Sequence, residues 1–431
     1  MQFENTFCSS PWIHMRITNQ GYYNFCRWET YKIDNTRPNI KNIELLEYFQ
    51  KYMQQVRKSM IDGNILSECQ PCYDMEKFNK VSGRQKQLLK TGIVLSNFTK
   101  TLQASPYYTK FKKTSKDELC DVFPVDLQVD LGNYCNSACT FCSPESSSML
   151  ATEFFKLNLI NTKIASSWCN DNSLVDSFIK SIIQIPNIKY IHFIGGETVI
   201  TPAFKKILIA LVENNLTNST IGFTTNLTVW DEDINVLLSK FKNINLGLSI
   251  ESLEKDNDYA RYPSQISKVK ELLDKWVELG KKHKWLMQIR MTPTWITVSN
   301  LNTIFEYAFR HDIAVESCNF LHEPDIMRMT VLPYELRNNA INKLSKWIDT
   351  HSDYNTNNDT INIRNPSIAK QEIINDAKSY LNYLKNAKYE PELIPRLITF
   401  LKKIESSRNI SILDYKPEYE EFLRTAGYKR N

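Results

Sequence analysis

The sequence predicts an α/β protein: a partial barrel of six βα units, preceded by a four-cysteine lobe and followed by a helical extension. Between Val122 and about Pro324, short runs rich in Ile, Leu, Val and Phe alternate with longer amphipathic stretches. Strands alternating with helices at this spacing imply a parallel sheet with right-handed crossovers. The segment before is marked by cysteines, and the segment after reads as polar and helical. A chain of 431 residues exceeds one typical domain.

Four regions follow from this pattern. Residues 1–91 form the cysteine-bearing lobe, 92–121 a connector rich in Lys, Thr and Ser, 122–325 the partial barrel, and 326–431 the helical extension. Strands are expected at Val125–Leu131, Ile188–Ile194, Thr220–Thr225, Ile244–Ile250, Leu286–Thr292 and Ile313–Ser317, short runs rich in Ile, Leu, Val and Phe. Helices are expected at Leu174–Ile185, Phe204–Glu213, Asp233–Phe241, Gln265–Leu279 and Leu301–Arg310, where apolar residues recur at helical spacing. The stretch Ile368–Lys403, with its Lys and Glu content, reads as a solvated helical cap. In barrels of this kind chemistry gathers where strands end.

Composition narrows the function classes. A hydrophobic fraction of 42% and a charged fraction of 23% are ordinary for a globular protein. The sequence has no apolar run of the roughly 20 residues a bilayer span needs, and its start lacks an export signal, so a cytoplasmic protein without a membrane partner is expected. In that setting ten cysteines point to metal binding or catalysis before disulfides. A net charge of +5, without a dense Lys/Arg block, permits nucleic acid as a partner but does not argue for it.

The most specific motif is Cys135-x3-Cys139-x2-Cys142, directly after the first barrel strand. Three thiolates on a 4Fe-4S cube leave one iron without a protein ligand, and an open iron can bind a substrate or cofactor. A zinc knuckle is the alternative, since thiolates suit both metals, although zinc cysteines more often come as separated C-x2-C pairs.

With Phe141 before the last cysteine, this loop resembles the signature of the radical S-adenosylmethionine (SAM) superfamily. The resemblance implies that the open iron chelates SAM, and that one electron cleaves it to a 5'-deoxyadenosyl radical. Gly195-Gly196-Glu197 resembles the Gly-Gly-Glu-Pro loop that contacts the SAM amino group, with Thr198 in place of proline. Ser249-Ile-Glu251 resembles the family's Ser-Ile-Asp, which meets the ribose, and Asn226 fits the Thr-Asn of relatives. Arg261, twelve residues after Ser249, stands where many members pair an arginine with the methionine carboxylate. Its alternative role is a surface ion pair. No protein side chain is singled out as catalytic.

Cys8, Cys26, Cys69 and Cys72 form the second group. The spacing Cys8-x12-Gly21-x4-Cys26, completed by Cys69-Gln-Pro-Cys72, is similar to the opening of the SPASM or twitch auxiliary-cluster domain. Such domains usually follow the barrel, whereas this one precedes it, as in twitch-domain proteins that open with a segment like Cys8-Ser-Ser-Pro-Trp-Ile-His14. A second 4Fe-4S cluster near the substrate is the implied occupant, with zinc as the alternative. The similarity extends to Asp414-Tyr-Lys-Pro-Glu418 in the tail.

The resemblance implies hydrogen abstraction from a substrate, first of all a peptide or protein side chain, with an electron donor such as flavodoxin or ferredoxin. Modification of a nucleotide or nucleic acid is a second reading, and a non-catalytic metal-binding scaffold a third. Cys120, Cys169 and Cys318 read as small buried hydrophobes. Trp12, Tyr22, Tyr23, Phe25 and Trp28 read as packing around the cysteine lobe.

Overall fold

The computed structural model describes residues 4–27, 37–78, 80–115, 122–164, 166–316, 319–352 and 370–430. Cys120, Cys318, Trp28 and Ser317 lie outside the described residues. The described residues form one sheet of eight strands: β1 (His14–Ile17), β2 (Tyr23–Asn24), β3 (Asp126–Asp130), β4 (Tyr190–Ile194), β5 (Thr220–Thr225), β6 (Asn243–Ser249), β7 (Leu286–Arg290) and β8 (Ala314–Val315). Their spatial order is β2-β1-β3-β4-β5-β6-β7-β8. All neighbours are parallel except the β1–β2 pair.

β3 to β8 are the six expected barrel strands: β5 has the expected bounds, β6 is shifted by one residue, and the other four are shorter by two or three residues. Along each, side chains alternate between two environments, as the two-residue repeat of a strand requires. Leu127, Val129, Ile191, Phe193, Ile221, Phe223, Leu246, Leu248 and Ile289 are buried. Between them stand Gln128, His192, Thr224, Asn245, Gln288 and Arg290. The first set meets the helices. The second is a polar face where a filled barrel would carry branched aliphatic layers.

The connecting helices carry their signals in the chain. Asn172–Ile182 starts on Asp171, whose side chain accepts from the Ser173 N–H. Ile266–His283 buries Val269, Leu272, Leu273, Trp276, Val277 and Gly280 at three-to-four spacing and ends on Lys284 in the left-handed region, φ 56°.

Two features differ from the expectation. β1 pairs in parallel with β3, so the cysteine-bearing segment extends the barrel sheet itself. It is bound there by burial: Phe7 and Trp12 pack on Phe111 with ring centroids 5.1 Å away, and Arg57, fully buried, donates to Pro11 O at 2.9 Å and Phe49 O at 2.6 Å. Phe111 belongs to the Tyr108–Ser115 helix, so the 92–121 stretch is folded rather than a bare connector as far as it is described.

Second, the C-terminal helices are not a solvated cap. Lys370–Asn386 buries Ile373, Ile374, Ala377, Tyr380 and Leu384, Ile394–Arg408 buries Leu397, Leu401, Ile404, Glu405 and Arg408, and both join the same apolar core as the sheet. Apart from the buried Glu405, their Lys and Glu residues lie toward the outer faces. Among the described residues no helix is long and apolar enough to cross a membrane.

Candidate metal centre and cofactor site

The cysteine loop leaves the C-terminal end of β3 and is held by backbone from its neighbours. On one side the Gly196 N–H donates to Gly132 O at 2.7 Å, and the Glu197 N–H to Tyr134 O at 2.9 Å. This approach demands glycine: Gly195 has φ 139°, and a Cβ on Gly196 would stand 2.6 Å from the Tyr134 carbonyl carbon. On the other side the Ala138 N–H donates to Tyr262 O at 2.7 Å and the Thr140 N–H to Ala260 O at 2.8 Å. Cys139 is buried, while Cys135 and Cys142 are partly exposed at the rim.

The three thiols sense each other. Burial, then Cys139, pushes Cys135 up to about 12. Burial, then Cys139 and Cys135, does the same to Cys142. Thiolates so disfavoured on their own are stabilised by a cationic partner, and soft sulfur donors are those an iron–sulfur cluster takes. Among the described residues no three Cys, His, Asp or Glu side chains converge on a single-ion site. A cube instead asks its thiolates to sit on separate irons.

Glu197 is buried and ties three loops. Its carboxylate accepts the Val199 N–H at 3.1 Å and the Asn226 N–H at 2.6 Å. Burial nevertheless pushes it up to about 7. Asn226 continues the chain of bonds: its Nδ2 donates to Asn136 Oδ1 at 2.9 Å and Ser137 Oγ at 3.1 Å, inside the cysteine motif. Thus β4, β5 and the cysteine loop meet through one buried carboxylate and one amide.

Glu251, after β6, has no exposed surface. It accepts from Arg261 Nη2 and the Thr292 N–H, each at 2.5 Å. Arg261 is therefore a buried ion pair, not a surface one. Its guanidinium carbon lies 5.3 Å from the Phe141 ring centre, and its Nε is buried without a partner. Ser249 closes β6, half-buried beside them. A cavity of about 260 Å³ adjoins the loop, lined by Asn136, Ser137, Thr228, Ser264 and Gln265 among others. A larger one of about 830 Å³ opens at the opposite ends of the strands, around Asp126, Tyr190, Thr220 and Leu286, away from the three cysteines.

Cys8, Cys26, Cys69 and Cys72 are brought together from distant positions. The Cys8 thiol is raised by burial first, then by Cys26, Cys69 and Cys72, and it accepts from the Ser10 N–H at 3.4 Å. Their location sets them apart from the three-cysteine loop. Cys8 precedes β1, whose first residue, His14, pairs with the first residue of β3, Asp126. Cys135 follows the last residue of β3, Asp130. The two groups thus lie toward opposite ends of the strands, separated by about 13 Å of β3.

Trp12, Tyr23 and Phe25 are buried beside this group, as packing requires. Cys169 is buried as expected, its thiol donating to Leu131 O at 2.6 Å.

The site is a parallel sheet with three thiols on the loop after β3 and a glycine turn hydrogen-bonded to the backbone of that loop. Residues 129–292, a little over a third of the chain, match the family model described as the radical SAM superfamily. Among solved structures the chain is similar to one titled native anSMEcpe with bound AdoMet: 20% identity, TM-score 0.38, covering 53% of this chain and 62% of that one. It is also similar to Streptococcus suis SuiB bound to precursor peptide SuiA: 17% identity, TM-score 0.38, covering 80% and 70%. The chain thus spans less than two thirds of the first, and neither likeness bears on its substrate. No curated protein matches the chain.

Sequence reasoning missed Arg408 and Glu153, which meet at the cysteine loop. Nothing in the local sequence around either one points to the other.

Proposed function

We propose that this chain is a radical SAM enzyme in which Cys135, Cys139 and Cys142 ligate a 4Fe-4S cluster and SAM completes the open iron. The observation that carries this reading is the group of three thiols on the loop after β3, bonded to the Gly195–Glu197 turn. When bound, cluster and SAM supply a 5'-deoxyadenosyl radical that takes a hydrogen atom from the substrate. The chain's own residues hold and orient. Gly195 and Gly196 let backbone close on the loop. Glu197 retains acceptor capacity for the SAM ammonium beyond its two backbone bonds. Arg261, fixed by Glu251 and seated on Phe141, offers its unpartnered Nε toward the methionine carboxylate. Asn226 and Ser249 are the polar contacts for the remainder of SAM.

The four cysteines of residues 1–91 hold a second 4Fe-4S cluster, with zinc as the alternative metal. At the far end of the strands it acts as a relay or structural centre. In this reading 92–121 connects, 122–325 is the catalytic barrel and 326–431 closes it. A peptide or protein side chain is the proposed substrate, with flavodoxin or ferredoxin as electron donor. The polar sheet face offers hydrogen-bonding groups of the kind a peptide backbone uses.

The deciding experiment is anaerobic reconstitution, with iron, sulfide and zinc assays and 5'-deoxyadenosine release on adding SAM and dithionite. About eight irons with deoxyadenosine is the expected result, the sum of two four-iron cubes. Zinc without deoxyadenosine would overturn the proposal.

A further inference from the structure

Arg408 ends the Ile394–Arg408 helix, 270 residues from the cysteine loop it touches. Its side chain is 1% exposed. Nε and Nη2 grip the two oxygens of Glu153 at 2.9 and 2.6 Å, and Glu153 sits on the Ser148–Lys156 helix just downstream of the cysteines. Nη2 also donates to Ala138 O at 2.8 Å. The guanidinium lies 4.7 Å from the ring centre of Tyr262, whose carbonyl accepts the Ala138 N–H at 2.7 Å. Ala138, the residue before Cys139, is therefore held at its C=O by the buried cation and at its N–H by the backbone of the aromatic residue beside that cation. Nη1 is buried with no hydrogen-bond partner. A buried guanidinium with an unspent N–H is disfavoured unless further negative charge lies nearby.

We propose that Arg408 is a positioning residue for the metal centre on the cysteine loop: it fixes the Ala138 peptide and supplies permanent positive charge that favours one-electron reduction. The inference rests on the radical SAM reading. The step is the transfer of one electron from a low-potential donor to the oxidised cluster, with no bond made or broken and no proton moved. Reduction adds negative charge, so a fixed cation stabilises the product state more than the reactant.

A merely structural staple would predict loss of iron without a signed change in potential. The test uses the full chain, reconstituted anaerobically, in three variants: Arg408→Met, Arg408→Lys and Glu153→Gln. Iron and sulfide are counted, and the midpoint potential is read by titrating the EPR signal that changes on adding SAM. Arg408→Met should lower the reduced-to-oxidised ratio at fixed poise about tenfold, equivalent to about 59 mV for one electron. Glu153→Gln leaves the cation uncompensated and should move the ratio the other way by a similar factor. Arg408→Lys should stay near wild type. Unchanged potentials in both Arg408→Met and Glu153→Gln, or shifts of the same sign, overturn the proposal. If Arg408→Met fails to take up iron, Glu153→Gln decides: easier reduction supports the role, and no shift refutes it. A wild-type signal that SAM leaves unaltered would instead overturn the radical SAM reading, and this inference with it.

Discussion

Replacing Gly196 by alanine tests how the glycine turn assembles the site. The added Cβ would stand 2.6 Å from the Tyr134 carbonyl carbon and 2.9 Å from the Asn133 carbonyl carbon, against an ordinary contact of 3.4 Å. These are backbone atoms, so no side chain can swing aside. The Tyr134 carbonyl oxygen is nearer still, so one strand end must retreat by more than about 0.8 Å, overpacking that commonly costs about 1–3 kcal/mol. The retreat stretches the Gly196 N–H to Gly132 O and Glu197 N–H to Tyr134 O bonds, which contribute about 1 kcal/mol each. The sum is about 3–5 kcal/mol, felt where Cys135 leaves the loop. Urea unfolding of the metal-free protein should show a clearly lowered midpoint, and reconstitution should yield less iron. A variant within about 0.5 kcal/mol of wild type, the range of neutral surface changes, with full iron would refute the argument that close backbone contact selects glycine here.

Three further outcomes are expected. Arg261→Met should destabilise the protein by about 3–5 kcal/mol, because Glu251 stays fully buried with its ionic partner gone; a denaturation loss below about 1 kcal/mol would contradict this. Glu197, raised to about 7 from 4.5 in the fold, keeps its proton where the unfolded chain has lost it. Its contribution therefore weakens stability as pH rises from about 4.5 to 7, by about 3 kcal/mol in all, and Glu197→Gln should flatten that slope in metal-free protein; an unaltered slope would assign it elsewhere. Cys69→Ala should remove about four irons while leaving SAM able to perturb the remaining EPR signal, whereas Cys142→Ala should abolish that response. Equal loss in both variants would mean the two cysteine groups do not hold separate centres.

The sequence alone determined the βα alternation, the loop of three cysteines and the glycine turn, because these are local patterns. A strand's repeat, a ligand spacing and a glycine requirement are each written within a dozen residues. It also grouped Cys8 and Cys26 with Cys69 and Cys72, through a spacing similarity that needed no contact to be known. Tertiary structure alone decided where those groups stand. Only the register of β1 against β3 places the four cysteines toward the opposite ends of the strands from Cys135. Only packing turns Arg261 from a candidate surface ion pair into the buried partner of Glu251. Arg408 and Glu153 left no trace in sequence for the same reason. A contact across 255 residues depends on how two helices dock, and charged residues on helices most often face water.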